Sequence, residues 1–426
     1  MADHPTGIGP PPALRDAPHV FWHLYAGVVT FYQVFLEPLL CHLRLTTPGF
    51  GDPTYGRASL PIAPRERQLI HDNPDVHVER HRLILKADAM RRGGSWDREG
   101  SHWVEYQVWE WAGKEIQRHD ADIMLLHGIN NYGGRACGTG LHLAQSGFRV
   151  IAIDLPSFGR STGLHAYVPS MRLNVEAAHA VLCDVARRDR EQGRGSRKVF
   201  LQGESMGGFT ALYYAAIYPP ISPPSKGGPA RDEPKQETGD KLLHAGAVDA
   251  GSDERPRLAG VAVAAPMIAI SPHSRPSKLV EQIARFIIFF AGRLPFAAGV
   301  KGNVSDDIRV EEEFQADRHT YKGHLRISTG MAILAGLAEL QELAPRITCP
   351  LTVHHGAADR ATDWRGTQAF FDRLPSQDKR IKIWDGYEHI MMKNVQGMSE
   401  ADHKKRMAVL DDITNWFIEQ SEKDNA

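Results

Sequence analysis

The stretch that decides the fold is Val199–Gly208, which reads VFLQGESMGG. Its first part, Val199–Gln202, is an apolar run of the length of one buried strand. The second part places glycines on both sides of Ser205, and a segment of helical period begins near Phe209. Strand, sharp turn and helix therefore follow one another directly, which indicates one unit of a parallel α/β sheet.

Segments with the pattern of strands recur on both sides of this unit. Two alternating segments, residues 76–85 and 103–111, come first and are typical of antiparallel strands. Short apolar runs of the buried, parallel type are residues 123–126, 150–153, 199–201, 258–264, 351–353 and 381–384. Stretches of helical length separate most of these runs. The sequence therefore predicts an α/β fold with a mostly parallel central sheet and helices on both faces.

The chain divides into three predicted regions. Residues 1–45 comprise a Pro- and Gly-rich tail and an apolar helix, and residues 46–75 return to Pro, Gly and charge, which predicts a linker. Residues 76–426 are expected to form the α/β domain. Within it, residues 219–257 are polar and without period, which predicts a disordered surface insertion. Apolar segments at helical spacing in about residues 271–345 predict a helical cap over the sheet.

The composition argues against several classes of function. With 50 basic and 51 acidic side chains, the formal net charge is −1, so no excess positive charge is present to hold a nucleic acid. The four cysteines lack a C-x-x-C pair, which favours a reducing, cytoplasmic compartment. His354 and His355 are adjacent on a predicted strand and point to opposite faces, so they do not predict a metal site. We expect no metal, no cofactor and no nucleic-acid partner.

The apolar segment near the N-terminus has three interpretations. Residues 17–36 carry no formally charged side chain, and their polar residues recur at helical spacing. The helix could be embedded in or lie on a membrane, pack on the domain, or be a targeting peptide. A secretory signal fits poorly because no basic cluster precedes the segment and no clear cleavage site follows it. We expect this helix to hold the protein at a membrane or lipid-droplet surface.

Ser205 is the candidate nucleophile. A strained turn between strand and helix makes a serine hydroxyl stand clear of the sheet, and glycines are needed there because a side chain would collide with neighbouring backbone. The G-x-S-x-G pattern alone is weak, since chance produces it roughly 0.2 times in a chain of this composition. Its position directly after a predicted buried strand makes the pattern specific. A glycine-rich turn with an idle serine is the alternative.

A serine nucleophile needs a base to take its proton and an acid to orient that base. Asp359 and His389 each follow a predicted strand directly, on loops at the sheet edge where the turn at Ser205 opens. The sequence therefore predicts a triad of Ser205, His389 and Asp359. Asp363 and Asp385 are the competing acids.

Such a triad also requires two backbone N–H groups aimed at the oxygen on which negative charge develops. One is expected from Met206, the residue after the nucleophile. The other is expected from Ile129, in the loop that begins with His127-Gly128 after a predicted strand. A plain turn without this role is the alternative for His127-Gly128.

The sequence resembles the monoacylglycerol lipases of the α/β-hydrolase superfamily. The motifs that carry the resemblance are GESMGG at 203–208, HG at 127–128, IDLPSFGRSTGLH at 153–165, AAPM at 264–267, GAAD at 356–359 and GYEH at 386–389. The plant-type branch, with lysophospholipase-like and caffeoylshikimate esterase-like members, is the most similar. The resemblance spans about residues 100–420, and such chains are often classed under a serine aminopeptidase-like domain.

The resemblance implies a serine ester hydrolase that cleaves a lipid monoester, most simply a monoacylglycerol. Phe286, Phe289 and Phe290 of the cap would line a tunnel for the acyl chain, unless they are ordinary helix core. The alternatives are a lysophospholipase or an aryl or hydroxycinnamoyl esterase, a serine aminopeptidase or amidase, and a catalytically idle scaffold. Two residues depart from the family pattern: Asn130 replaces a glycine of the oxyanion loop, and Glu204 replaces His or Gln before the nucleophile.

Overall fold

The computed structural model describes residues 6–8, 13, 18–94, 102–114, 116–220, 255–269, 277–297 and 304–423. The insertion predicted at residues 219–257 lies almost entirely outside these ranges. Most of the predicted tail before residue 18 and short parts of the predicted cap lie outside them as well.

The described residues form an eight-stranded sheet and a two-stranded pair. The strands are β1 Val76–Ile84, β2 Trp103–Trp111, β3 Ala121–Leu126, β4 Arg149–Ile153, β5 Lys198–Glu204, β6 Leu258–Ala264, β7 Pro295–Ala297, β8 Leu325–Arg326, β9 Leu351–Gly356 and β10 Lys379–Trp384. The order in the large sheet is β1-β2-β4-β3-β5-β6-β9-β10, and β7 and β8 form the pair. In the large sheet, β2 pairs antiparallel with β1 and β4, and all other pairs are parallel. The predicted α/β fold with a mostly parallel sheet is confirmed.

Helices flank the sheet. They are α1 His19–Phe31, α2 Glu37–His42, α3 Pro64–Glu66, α4 Ala87–Arg92, α5 Cys137–Gln145, α6 Arg172–Glu191, α7 Met206–Ile217, α8 Lys278–Ala291, α9 Ile308–Ala316, α10 Ile327–Leu343, α11 Trp364–Asp372 and α12 Glu400–Lys423. Five-residue π-helical turns, Tyr32–Leu36 and Arg67–His71, follow α1 and α3. Short 3₁₀ turns lie at Pro48–Gly51, Arg57–Ser59, Gly133–Ala136 and Ala344–Arg346.

Two buried apolar clusters lie on opposite faces of the sheet. Successive residues of β3 alternate between them, with Met124 in the first cluster and Ile123 in the second. The first cluster includes Phe209 of α7, and the second includes Trp416 of α12. This alternation explains why the central strands read as continuous apolar runs, since both of their faces are covered.

The segment predicted as a linker, residues 46–75, packs on the domain instead, so that prediction is wrong. Ile70 is fully buried, and the buried Arg57 guanidinium donates from Nε to the Gly159 carbonyl at 2.8 Å and from Nη2 to the Ser161 carbonyl at 2.7 Å. The prolines and glycines of this segment shape short, packed turns.

The predicted cap at about residues 271–345 also needs a correction at its C-terminal end. Ala332, Ile333 and Leu340 of α10 are buried in the first apolar cluster, and Gly336 lies so close to Met171 and Phe209 that a side chain there would crowd both. Helix α10 therefore belongs to the layer that covers the sheet. Helices α8 and α9 are the elements of the predicted cap that lie outside this layer.

The N-terminal helix His19–His42, formed by α1, the π-helical turn and α2, is long and apolar enough to cross a membrane by length and composition alone. One stripe of it, with Trp22, Ala26, Val34 and Glu37, is buried. Most of the remaining circumference is apolar and exposed, including Val20, Phe21, Leu24, Val28, Phe31, Phe35, Leu36 and Leu39.

Glu37 holds this helix to the rest of the protein. Its buried carboxylate accepts hydrogen bonds from the Tyr55 hydroxyl at 2.6 Å, the Gly49 N–H at 2.9 Å and Nη1 of Arg293 at 2.9 Å. Because Arg293 directly follows α8, this carboxylate ties the N-terminal helix to the cap as well as to the segment after the helix.

We expect Glu37→Ala to loosen the N-terminal helix, because the substitution leaves three donors without their acceptor. Hydrogen bonds to charged groups contribute about 1.5–3 kcal/mol each. Hydrogen exchange of the backbone amides in residues 32–55 should become faster, whereas exchange in the central strands should not change. His42→Ala, at an exposed position near the end of the same helix, is the control. Equal exchange in both variants would contradict the packing described here.

Candidate active site

Ser205 lies at the sharp turn between β5 and α7. Its φ of +53° and ψ of −116° form a conformation that non-glycine residues adopt only where the surrounding structure imposes it. The Ser205 carbonyl accepts from the N–H of Met267 at 2.9 Å, and the Ser205 N–H donates to the carbonyl of Ala264 at 3.2 Å. These two bonds tie the turn to the end of β6.

The glycines around Ser205 are needed for close backbone packing. A Cβ on Gly207 would overlap the carbonyl oxygen of Leu126, and a Cβ on Gly203 would overlap the carbonyl of Gly207. The first turn of α7 therefore lies directly against the end of β3. The loop after β3 borders the candidate nucleophile, since a Cβ on Gly128 would lie 3.5 Å from the Cβ of Ser205.

Asp359 and His389 are brought together on the loops after β9 and β10. Nδ1 of His389 lies 2.8 Å from Oδ2 of Asp359, with the carboxylate fully buried and the imidazole nearly so. The carboxylate holds the Nδ1–H tautomer of the neutral imidazole, which leaves Nε2 free to accept a proton.

The two competing acids have other surroundings. The carboxylate of Asp363 accepts from the N–H of Arg365 at 3.1 Å and caps the N-terminus of α11. Asp385 is exposed. Of the three aspartates considered from the sequence, Asp359 is the one hydrogen-bonded to His389.

The Asp359 carboxylate is saturated with donors. Burial alone would raise its pKa, but hydrogen bonds from His355 and His389 outweigh this effect and hold the pKa well below its usual value. The Thr362 hydroxyl donates to Oδ2 at 2.8 Å, and the N–H groups of Ala361 and Thr362 donate to Oδ1 at 2.8 and 2.9 Å. The carboxylate is therefore ionised across the physiological pH range.

His127 fixes the loop that carries Ile129. Its Nε2 accepts from the N–H of Leu155 at 3.0 Å, and its Nδ1–H donates to the carbonyl of Gly128 at 2.8 Å. Burial lowers the pKa of His127 to about 4, so the ring is neutral, as this pair of bonds requires.

Asn130 adopts the backbone conformation for which a glycine is usual. Its φ is +65°, and asparagine tolerates this left-handed region better than most residues. The Asn130 carbonyl accepts from the N–H of Tyr321 at 3.0 Å, which fastens the loop to the segment between α9 and α10. Parallel pairing of β3 with β5 places the loops of Ile129 and Met206 side by side, while their role as oxyanion donors stays a prediction.

Glu204, the second departure from the family pattern, is partly exposed and directly precedes the candidate nucleophile, Ser205. Burial raises the pKa of Glu204, and this effect is opposed by His389 when its imidazole is protonated and by the Arg406 guanidinium. The carboxylate is thus within electrostatic reach of the imidazole.

Phe286, Phe289 and Phe290 stand on an exposed face of α8, with 72%, 84% and 69% of their surfaces accessible. They do not enclose a buried tunnel in this structure. Contact of these side chains with an acyl chain therefore stays a prediction.

The sequence pattern does not predict His355 and Thr362 as partners of Asp359. His354 and His355 lie on opposite faces of the strand, as predicted, and His354 contacts Thr352 and Trp384, away from the candidate acid. The sequence feature that could have indicated the contact is the position of His355 near the end of a strand, four residues before Asp359. Within the described ranges, no group of three or more His, Cys, Asp or Glu side chains is arranged to hold a metal ion.

The sheet, the strained serine turn and the His–Asp pair define an α/β-hydrolase of the serine hydrolase class. The family model described as "Serine aminopeptidase, S33" matches residues 117–224 and 245–396, more than half of the chain. The protein belongs to this family.

Several relatives are named as ester hydrolases. A monoacylglycerol lipase of Mycolicibacterium smegmatis is 24% identical over 70% of this chain and 87% of its own length. A caffeoylshikimate esterase of Arabidopsis thaliana is 26% identical over 65% and 71%. A crystal structure of a soluble variant of monoglyceride lipase from Saccharomyces cerevisiae has a TM-score of 0.56 at 17% identity, covering 76% of this chain and 94% of that one, and shares the fold. The protein is a serine ester hydrolase, and membership of the plant-type branch stays a prediction.

Asp359→Asn is expected to lower kcat for ester hydrolysis by about 10³–10⁴-fold, because an amide no longer selects the productive tautomer of His389. Asp385→Asn, at an exposed position, is the matched control and should keep normal activity. Steady-state kinetics on a water-soluble ester make the comparison. Full activity of Asp359→Asn, or a large loss in Asp385→Asn, would show that the acid lies elsewhere.

Proposed function

We propose that the protein hydrolyses lipid monoesters, most simply a monoacylglycerol, to a fatty acid and an alcohol such as glycerol. The observation that carries the proposal is the His389–Asp359 pair, on the loops after β9 and β10, which run parallel to β5 and so end at the same edge of the sheet as the strained turn at Ser205. The relatives named monoacylglycerol or monoglyceride lipase support this substrate class.

In the proposed mechanism, His389 takes the proton of the Ser205 hydroxyl as the oxygen attacks the ester carbonyl. The N–H groups of Ile129 and Met206 donate to the oxyanion of the tetrahedral intermediate. His389 then protonates the departing alcohol, which leaves an acyl-enzyme. Water enters, gives a proton to His389 and attacks the acyl carbonyl, and the fatty acid departs as the proton returns to Ser205.

A hydroxycinnamoyl ester is the second candidate substrate, because one relative is named caffeoylshikimate esterase. Lysophospholipids and amides could use the same three side chains, and the family description names an aminopeptidase. The chemistry of the triad does not distinguish these substrates, so the substrate must be identified by rates.

Ser205→Ala should abolish hydrolysis, with a loss on the order of 10⁴-fold or more, while the fold remains intact, because this side chain supplies chemistry and little packing. The wild type should react with a fluorophosphonate probe, and the variant should not. Rates on monoacylglycerols, lysophospholipids, hydroxycinnamoyl esters and dipeptide amides identify the substrate. Normal turnover by folded Ser205→Ala would contradict the mechanism, and no reaction of the wild type would favour an idle scaffold.

We also propose that the N-terminal helix attaches the protein to a membrane or lipid-droplet surface from the cytoplasmic side. The support is its exposed apolar surface, which includes Leu24, Val28 and Phe31, together with the exposed apolar side chains of α8. A substrate that partitions into lipid gives a reason for such attachment. The buried stripe of the helix favours a position along the interface over a position across the bilayer.

Leu24→Ser combined with Val28→Ser should weaken flotation with phosphatidylcholine vesicles by about 10-fold or more, because two large apolar side chains no longer enter the lipid. Hydrolysis of a water-soluble ester should not change. Ile84→Ser combined with Ile308→Ser, at similarly exposed positions outside the N-terminal helix, is the control. If the wild type does not float, or if the control pair loses as much binding, the attachment proposal fails.

A further inference from the structure

His355 is a buried histidine in contact with the candidate acid. It lies on β9 opposite Ile383 of β10, and its side chain is completely buried. Nε2 of His355 lies 3.0 Å from Oδ2 of Asp359, the same oxygen that faces Nδ1 of His389. Two imidazoles therefore share one carboxylate oxygen.

The hydrogen bonds identify the tautomer of His355. Its Nδ1 is buried and has no hydrogen-bond partner among the described residues, whereas Nε2 faces an ionised carboxylate. A proton on Nδ1 would leave a buried donor unsatisfied, which is costly. The proton is therefore on Nε2, and His355 donates to Asp359.

We propose that His355 is a positioning residue, which orients Asp359 and shares the negative charge that Asp359 presents to His389. This inference rests on the proposed function for its kinetic consequences. It assigns a role to a side chain that does not touch the reacting atoms.

The donors around Asp359 explain both parts of this role. Two backbone N–H groups hold Oδ1, while Thr362, His355 and His389 hold Oδ2, so the carboxylate cannot rotate without losing bonds. Each donor also withdraws part of the negative charge. With His355 in place, Asp359 presents less negative charge to His389 and stabilises its imidazolium form less strongly, which keeps the neutral imidazole available to accept the serine proton.

Other charges act on His389 as well. Glu204 on β5 interacts electrostatically with the imidazole, and Arg406 of α12 interacts with Glu204. Neither group lies on the strand that carries His355. A substitution of His355 therefore changes the negative charge that Asp359 presents to His389. The electrostatic effects of Glu204 and Arg406 stay the same.

The test compares His355→Leu and His355→Met, which lack a donor, with His355→Gln, which keeps an N–H. His354→Gln, also buried on β9 but facing the other side, is the control. Proton NMR follows the titration of His389, identified by its absence in His389→Ala, and kinetics on a water-soluble ester give kcat, KM and the pH profile. The NMR readout does not depend on turnover.

Loss of the donor should lower kcat by about 10–100-fold with little change in KM. The titration of His389 and the acidic limb of kcat/KM should move upward by about 0.5–1 pH unit. His355→Gln should restore most of the lost kcat and most of the wild-type pH dependence. His354→Gln should match the wild type in both measurements.

An unchanged titration of His389 in folded His355→Leu or His355→Met would overturn the inference. The inference would also be overturned if neither donor-free variant folds, since the role of His355 would then be to stabilise the buried core. A wild type without esterase activity whose His389 still responds to His355 would contradict the proposed function and leave the positioning role standing.

Discussion

The close approach of α7 to the end of β3 is the constraint on which the candidate site depends. Because Gly207 has no side chain, its backbone packs against the carbonyl of Leu126, and the chain must turn sharply at Ser205 to enter the helix there. The strained φ of Ser205 is a consequence of this approach. The same approach places the start of α7 beside the loop that begins at His127, so one backbone contact brings the candidate nucleophile and the candidate oxyanion loop together.

Buried polar side chains hold the other loops at this edge of the sheet. After β4, the buried carboxylate of Asp154 accepts from the N–H of Gly133 at 2.8 Å and from the N–H of Arg160 at 2.7 Å. Burial raises the pKa of Asp154 to about 6, against the effect of these donors. After β9, the carboxylate of Asp359 likewise accepts hydrogen bonds from backbone N–H groups of its loop. More donors surround this carboxylate, and its pKa is lowered. The pKa of the buried Asp154 carboxyl, with fewer donors, is raised, and that of Asp359, with more donors, is lowered.

Elements with a local sequence pattern could be predicted. Predictions were wrong where the position of a segment depends on contacts with residues distant in the sequence. Buried parallel strands read as apolar runs, and Asp359 and His389 follow such runs directly. Residues 46–75 were misread because the partners of Arg57, such as Gly159, lie about a hundred residues away in the chain. Helix α10 was assigned to the cap and not to the layer that covers the sheet, because both kinds of helix have the same apolar period. The partner of His355 could not be predicted because strand alternation indicates the face of the sheet on which a side chain lies. It does not indicate that the loop carrying Asp359 returns to that side chain.

Glu37 limits how the N-terminal helix can meet a lipid surface. Its carboxylate is committed to Tyr55, the Gly49 N–H and Arg293, so moving it into hydrocarbon would expose a charge and break three bonds at once. Val20, Leu24 and Val28, nearer the start of the helix, expose more than half of their surfaces. A helix that packs on the protein along one stripe and is apolar along its exposed faces suits an interfacial position. Because Arg293 adjoins α8, the contact at Glu37 would also keep the exposed phenylalanines of that helix close to the same interface.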